Sequence, residues 1–296
     1  MEGVWECPIG GRILGHTAIL FGKGGLLARE LVPALTRAGW QVVAVARAEC
    51  DITRAADVDA AVNRAGASLV VNAAAYTLVD QAEREPERAF AVNADGAGHV
   101  ARAAARAGAR LLHISTDYVF DGHKQRPYTE HDATAPLGVY ARSKLAGEQA
   151  VVSENGAPYV VRTGELYGDG GPSFFKAILG RARCGEPLRV VNDQVVSPTW
   201  TRDLAAQLAL LVEHAPPGLY HATADGETTW YDAACTALRL ARLDTAVESV
   251  STEAYGSSTP RPHYSVLAHN ALDTLGLYRM RPWDQALSEW LAYAEI

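Results

Sequence analysis

Thr17-Ala-Ile-Leu-Phe21 runs directly into Gly22-Lys-Gly-Gly25, and Leu26-Leu-Ala28 then opens a segment with helical spacing of its apolar positions as far as Ala38. A short apolar run, a glycine turn and a helix make the first half of a βαβ unit. Gln41-Val-Val-Ala-Val-Ala46, a Val-rich run, supplies the buried strand that closes it. Outward from this unit the alternation continues. Helices are predicted over 55–65, about 83–107 and about 140–155, and strands over Ser68–Asn72, Arg110–Ser115 and Tyr159–Thr163. Strands alternating with helices predict an α/β chain with a doubly wound parallel sheet of Rossmann-like type. Beyond about residue 164 the rhythm breaks into shorter pieces, punctuated by prolines such as Pro172, Pro187, Pro198 and Pro260. The expected division is an N-terminal extension over 1–14, a dinucleotide-binding domain over 15–164 with late returning segments, and a smaller, mainly substrate-binding lobe over 165–296.

Composition narrows the function classes. The 296 residues carry 34 Asp and Glu against 27 Lys and Arg, a formal net charge of −7. An acidic chain lacks the broad positive field that holds phosphate backbones, so no nucleic-acid partner is expected. No stretch approaches the 18 or so apolar residues of a membrane span, and no membrane partner is expected either. The four cysteines, Cys7, Cys50, Cys184 and Cys235, have no metal-ligand spacing and fit reduced thiols in a cytoplasmic protein. The histidines show no ligand spacing, and no metal is expected.

Gly22-x-x-Gly25-x-x-Ala28 stands where a strand becomes a helix. The first glycine permits the tight turn, the second lets a pyrophosphate approach the backbone, and the small third residue lets helix and strand pack closely. The helix N-terminus then offers unpaired N–H groups to the phosphates. At the end of the second strand a carboxylate would favour NAD, whereas an arginine accommodates a 2′-phosphate. Val45-Ala46-Arg47 has no carboxylate until Glu49, so Arg47 favours NADPH, with NADH still open. Asp51-Ile52 is placed for an adenine edge, and Asp51 before Thr53 reads equally well as a helix cap.

Tyr140-Ala-Arg-Ser-Lys144 places a phenol and an ammonium four residues apart on one helix face. A neighbouring ammonium favours the phenolate, which suits proton exchange with an alcohol or ketone oxygen. Ser115 and Thr116, closing a neighbouring strand, are candidates to hold the same oxygen.

Several stretches together carry a family resemblance: Val71-Asn-Ala-Ala-Ala-Tyr-Thr-Leu-Val-Asp80, Ser115-Thr-Asp-Tyr-Val-Phe-Asp-Gly122, Tyr140-Ala-Arg-Ser-Lys-Leu-Ala-Gly-Glu148, Asn192-Asp-Gln-Val-Val-Ser-Pro-Thr199 and Arg261-Pro-His-Tyr-Ser265. In that order, from about residue 17 to the C-terminus, they resemble the dTDP-4-dehydrorhamnose reductases, a family of extended short-chain dehydrogenase/reductases. The resemblance implies NAD(P)-dependent reduction of the C4 ketone of a dTDP-linked 4-keto-6-deoxyhexose in a deoxysugar pathway. It makes Tyr140 the proton donor, Lys144 the group that holds the ribose and tunes Tyr140, and Thr116 the hydroxyl partner, with Asp117 beside it at the sugar. It places cofactor contacts on Gly24, Gly25, Asp51, Ile52 and Ala75-Tyr76-Thr77. It leaves a homodimer open, with no stripe in the sequence that demonstrates one. Glu30 matches a family glutamate implicated in a metal at a dimer interface, without further support here.

One stretch departs from the pattern. The family usually reads Arg-Thr-Ser-Trp-Val-Tyr-Gly where this chain reads Arg162-Thr-Gly-Glu-Leu-Tyr-Gly168. Glu165 in place of a flat apolar platform implies altered sugar specificity, through hydrogen bonds to extra hydroxyls or pairing with an amino group; the alternative is that it turns to solvent. Trp200, Trp230, Trp283 and Trp290 read as packing residues, and Arg261 as either a diphosphate contact or a surface arginine. Two other functional readings stay beside the leading one: a ketoreductase on a natural-product intermediate that is not a dTDP-sugar, and a non-catalytic NADP-binding regulatory subunit. Intact Thr116, Tyr140 and Lys144 argue against the latter.

Overall fold

The computed structural model describes residues 16–257 and 259–294. The extension predicted over 1–14, with Cys7 in it, lies outside the described residues. The central sheet has six strands, β1 (Thr17–Phe21), β2 (Gln41–Val45), β3 (Leu69–Asn72), β4 (Arg110–Thr116), β5 (Tyr159–Thr163) and β6 (Gly218–His221). Their order is β6-β5-β4-β3-β1-β2 and every neighbouring pair is parallel. The five helices that matter most for the site and its support are α1 (Leu26–Arg37), α2 (Ala55–Ala65), α3 (Ala97–Arg106), α4 (Val139–Asn155) and α5 (Thr201–His214).

Side chains of a strand alternate between faces, and both faces of this sheet are covered. Ala18 and Leu20 of β1 point to one side, where Leu27, Leu31 and Leu35 of α1 meet Leu204, Leu208 and Leu211 of α5. Ile19 and Phe21 point to the other, against Val58 and Val62 of α2 and Val100 and Ala104 of α3. Each fully buried Leu or Val contributes roughly 1.5–3 kcal/mol relative to exposure, so the two layers fix the register of the central strand. A third apolar cluster is drawn entirely from the chain after residue 166. Trp200 and Trp290 are buried in it with Phe175, while Trp230 and Trp283 pack partly buried against it.

The helix predicted over 83–107 is not one helix. The structure has a short turn Val79–Ala82, a helix Pro86–Phe90, a π-helical turn Ala91–Gly96 and then α3. The widened turn goes with a tertiary contact rather than a local preference. It carries the buried Asn93, whose amide nitrogen donates to Ser143 Oγ at 2.9 Å. Gly147 of α4 approaches so closely that a Cβ there would lie 2.0 Å from the Asn93 carbonyl oxygen.

Strand order reverses between β1 and β3, because the chain moves outward from β1 to β2 and then crosses to the opposite side. In open parallel sheets such a reversal leaves a crevice at the carboxyl ends of the strands, and ligands bind there.

Candidate active site

A cavity of about 830 Å³ occupies that crevice. The residues singled out in the sequence for cofactor, substrate or proton transfer line it, from Gly22, Gly24 and Gly25 at one end to Thr116, Asp117, Tyr140, Lys144 and Glu165 at the other, with the exception of Arg261.

The glycine turn fits an anionic group closely. Gly22 has φ +100°, and a Cβ on it would lie 2.8 Å from the Ala73 and Ala74 backbone, so only glycine lets β1 turn beside the end of β3. Gly24 faces open space. Helix α1 begins at Gly25 with no side-chain cap and no acidic residue in its first turn. Its amino-terminal N–H groups and the positive end of its dipole thus face the cavity without an internal anion.

Next along the cavity, Arg47 keeps about two-thirds of its side chain exposed, with Nε 3.2 Å from Asp51 Oδ2. Asp51 Oδ1 accepts from the Thr53 backbone N–H at 3.1 Å and its hydroxyl at 2.8 Å. The Thr53 contacts and Arg47 hold its carboxyl below the ordinary value, against burial, which acts in the opposite direction. Asp51 therefore closes a turn, while the helix cap position falls on Arg54. Ile52 is buried against Gly96, where a Cβ would meet it at 2.8 Å.

The wall formed by Ala75-Tyr76-Thr77 is held by Asn93, a residue that sequence reasoning missed. Asn93 Oδ1 accepts from the Tyr76 N–H at 2.8 Å and its amide nitrogen donates to the Tyr76 carbonyl at 3.0 Å. The Tyr76 hydroxyl donates to Glu85 at 3.0 Å. Through Ser143, the same asparagine ties this loop to the helix carrying Tyr140 and Lys144.

Lys144 is buried and its Nζ donates to the Ile114 carbonyl at 2.6 Å. Burial lowers its acid to about 8, and the charge of Glu148 opposes that fall. Glu148, one further helical turn along, sits in a closed buried network. It accepts from Arg162 through Nε at 2.9 Å and Nη2 at 2.8 Å, and from the Ser115 hydroxyl at 2.5 Å. A bidentate pair of this kind holds both charges only because their hydrogen bonds are satisfied on several sides. The Ser115 hydroxyl is thus committed to Glu148, whereas the Thr116 hydroxyl donates to its neighbour Asp117 and also acts on Tyr140. Arg162 also lies 3.5 Å from His221 Nε2, whose acid is lowered to about 3 by burial and by Arg162.

Tyr140 departs from expectation in one respect. Its acid is raised above the ordinary phenol value, chiefly by burial and further by the charges of Asp117 and Glu165, while the Thr116 hydroxyl pulls it down. The ring of Tyr118 stands edge-on to that of Tyr140, with centroids 6.0 Å apart.

Asp117 and Glu165 face the same end. Both carboxyls are raised by burial, Glu165 also by the Asp117 charge. Arg261 reaches this region from its loop, but its Nη2 is bonded to Asp80 at 2.7 Å and its Nη1 to Ser257 at 2.6 Å. Among the described residues, no group of three or more His, Cys, Asp or Glu side chains is arranged to hold a metal, and no helix is long and apolar enough to cross a membrane.

Three comparisons bear on this geometry. The dTDP-4-dehydrorhamnose reductase of Streptomyces griseus is 44% identical over 280 residues, 92% of this chain and 91% of that protein. The dTDP-4-keto-6-deoxy-D-glucose reductase of Streptomyces niveus is 40% identical over 275 residues, 92% of this chain and 95% of that one. The crystal structure of dTDP-4-dehydrorhamnose reductase from Bacillus anthracis str. Ames in complex with NADP superposes with a TM-score of 0.92 at 34% identity, covering 95% of this chain and 100% of that one. The family model described as RmlD substrate binding domain matches residues 16–296, and with whole-length relatives of this similarity the chain belongs to that family.

Proposed function

We propose that this protein is an NADPH-dependent oxidoreductase that reduces the C4 ketone of a dTDP-linked 4-keto-6-deoxyhexose. The observation that carries the reading is that one cavity joins an uncapped glycine-turn helix to the Thr116, Tyr140 and Lys144 side chains. The names of the relatives from Streptomyces griseus and Streptomyces niveus, and the NADP in the Bacillus anthracis structure, support the substrate class and the cofactor. A cytoplasmic setting fits the free thiols of Cys50, Cys184 and Cys235. We read the chain to about residue 164, with the returning strand β6, as the cofactor half, and the later chain as mainly the sugar half.

When bound, the reduced nicotinamide supplies a hydride to the sugar carbonyl. The α1 N-terminus and the bare turn at Gly24 receive the pyrophosphate, and the exposed guanidinium of Arg47, paired with Asp51 through Nε, has its outer nitrogens left to meet a 2′-phosphate. Lys144 binds the adjoining ribose, held in place by the Ile114 carbonyl. Tyr140 hydrogen-bonds the carbonyl oxygen, joined by the Thr116 hydroxyl when it turns from Asp117, and Tyr140 gives its proton to the alkoxide as it forms. A phenol raised by burial stays protonated until so strong a base appears.

Steady-state oxidation of NADPH with a dTDP-4-keto-6-deoxyhexose tests this. The wild type turns over, and Tyr140→Phe lowers kcat by about 10²–10⁴-fold while NADPH still binds. Full kcat in Tyr140→Phe, or a wild type that binds NADPH yet reduces no 4-keto sugar, overturns it.

A further inference from the structure

Asp117 and Glu165 stand together at the sugar end of the cavity in an arrangement that the reduction itself does not use. Gly164 makes it possible: a Cβ there would lie 2.4 Å from Asp117 Cγ and Oδ2, so the carboxylate rests on bare backbone. Glu165 follows with φ 52°, a left-handed conformation that a non-glycine residue adopts at a cost of about 1–3 kcal/mol. The strain is held by β-pairing on its far side, where the Thr199 N–H donates to the Glu165 carbonyl at 3.1 Å and Leu166–Tyr167 pairs with Thr199–Trp200. An observed outlier at a site is grounds for a functional hypothesis.

Hydrogen bonding at this end is incomplete in a directional way. Asp117 Oδ1 accepts from the Thr116 hydroxyl at 3.0 Å. Glu165 Oε1 and Thr163 Oγ1 are buried without a partner among the described residues, while the Ser265 hydroxyl, with the backbone N–H groups of Asp117 and Tyr118, helps to hold the Asp117 carboxyl. Thr163 and Ser265 are each 3% exposed, and Thr163 lines the cavity beside Glu165. Unmade hydrogen bonds on buried polar groups are expensive, and a group lining a cavity can be completed by what binds there.

The charges facing the pair leave it undercompensated. Arg261 is the cation that acts on Glu165, and it is already engaged by Asp80 and Ser257. The other neighbours, Tyr118 and Tyr140, are protonated phenols, their acids raised by burial and by these same carboxylates, and Tyr118 offers Glu165 a hydrogen bond but no positive charge. Two carboxyls so placed cannot both ionise cheaply alone, and they hold a proton at neutral pH. A neutral hydroxyl would meet one of them. An ammonium group supplies three donors and a positive charge, and lets both ionise.

We infer that Asp117 and Glu165 form a receptor for a substrate ammonium, so that the preferred substrate is an amino-substituted 4-keto-6-deoxyhexose nucleotide rather than the fully hydroxylated sugar. This rests on the keto-sugar reductase reading above and specifies its substrate. The amine sits near the carbonyl being reduced, since Asp117 adjoins Thr116 and Thr116 adjoins Tyr140.

The test compares two dTDP-4-keto-6-deoxyhexoses that differ only in an amino or a hydroxyl group next to the ketone. The expected kcat/KM ratio favours the amino sugar by about 30-fold or more, the scale of a charge-assisted hydrogen bond, and Glu165→Gln collapses that ratio towards one. Calorimetry of the corresponding C4-reduced sugar nucleotides, repeated in buffers of different ionisation enthalpy, gives a second readout independent of turnover. The amino ligand releases a proton on binding near neutral pH, the hydroxyl ligand does not, and Glu165→Gln abolishes the release. If the wild type reduces both sugars equally, or prefers the hydroxyl sugar, the ammonium receptor is wrong and the reductase reading stands. If it reduces neither, both fall.

Discussion

Tyr140 lies between a hydroxyl that lowers its acid and two carboxyls that, with burial, raise it. On the proposed reading, such a phenol stays protonated until an alkoxide forms beside it. The same two carboxyls make a prediction about stability. Folded Asp117 and Glu165 keep a proton where the unfolded chain, with ordinary values of 3.8 and 4.5, has lost it. Their contribution to stability is therefore complete below those values and is lost as the pH rises through the raised folded ones. In chemical denaturation of the ligand-free protein between about pH 5 and pH 8, the wild type should lose more stability than Glu165→Gln. Equal slopes for the two proteins would show that Glu165 titrates normally. Much at this scale was legible in the sequence. Tyr140 and Lys144 lie on one helix face, where spacing suffices to propose them; at the strand end spacing offered Ser115 and Thr116 alike, and the family resemblance chose Thr116. The partners of Glu148 were not legible, because Arg162 comes to it from a neighbouring strand and Ser115 from another.

Among the elements, the parallel strands were readable because each is a short apolar run between turn signals. The π turn was not. An Ala/Arg-rich segment has helical propensity throughout, and only the contact of Asn93 with Tyr76, Ser143 and Gly147 identifies the place where the helix widens. Two glycines on the packed helix pair separate contact from propensity. Gly147→Ala should destabilise by about 2 kcal/mol or more, since its Cβ would overlap the Asn93 carbonyl. Gly98→Ala, whose Cβ would meet the Ala150 Cβ at an ordinary 3.4 Å, should be neutral or stabilise by up to about 1 kcal/mol. Urea denaturation of both variants decides this, and a harmless Gly147→Ala would mean that α4 can shift away from the π turn.

For the whole molecule, parallel order and two covered faces place the carboxyl ends of β1, β3, β4 and β5 around one crevice. Alternation of strand and helix predicted that class of fold. The strand order, and with it the juxtaposition of Gly22 with Ala73, depends on which side of β1 the third strand joins, and local sequence does not say. The crevice is lined by the glycine turn Gly22–Gly25 at one end and by Thr116, Tyr140 and Lys144 at the other. On the proposed reading, hydride is transferred there to a sugar C4 with Tyr140 as acid. The most direct test is to supply NADPH carrying deuterium at its transferring carbon with a dTDP-4-keto-6-deoxyhexose, and to locate the label by NMR and mass spectrometry. The account predicts one deuterium on C4 of the product sugar. Product without deuterium, or with the label on another carbon, would contradict it.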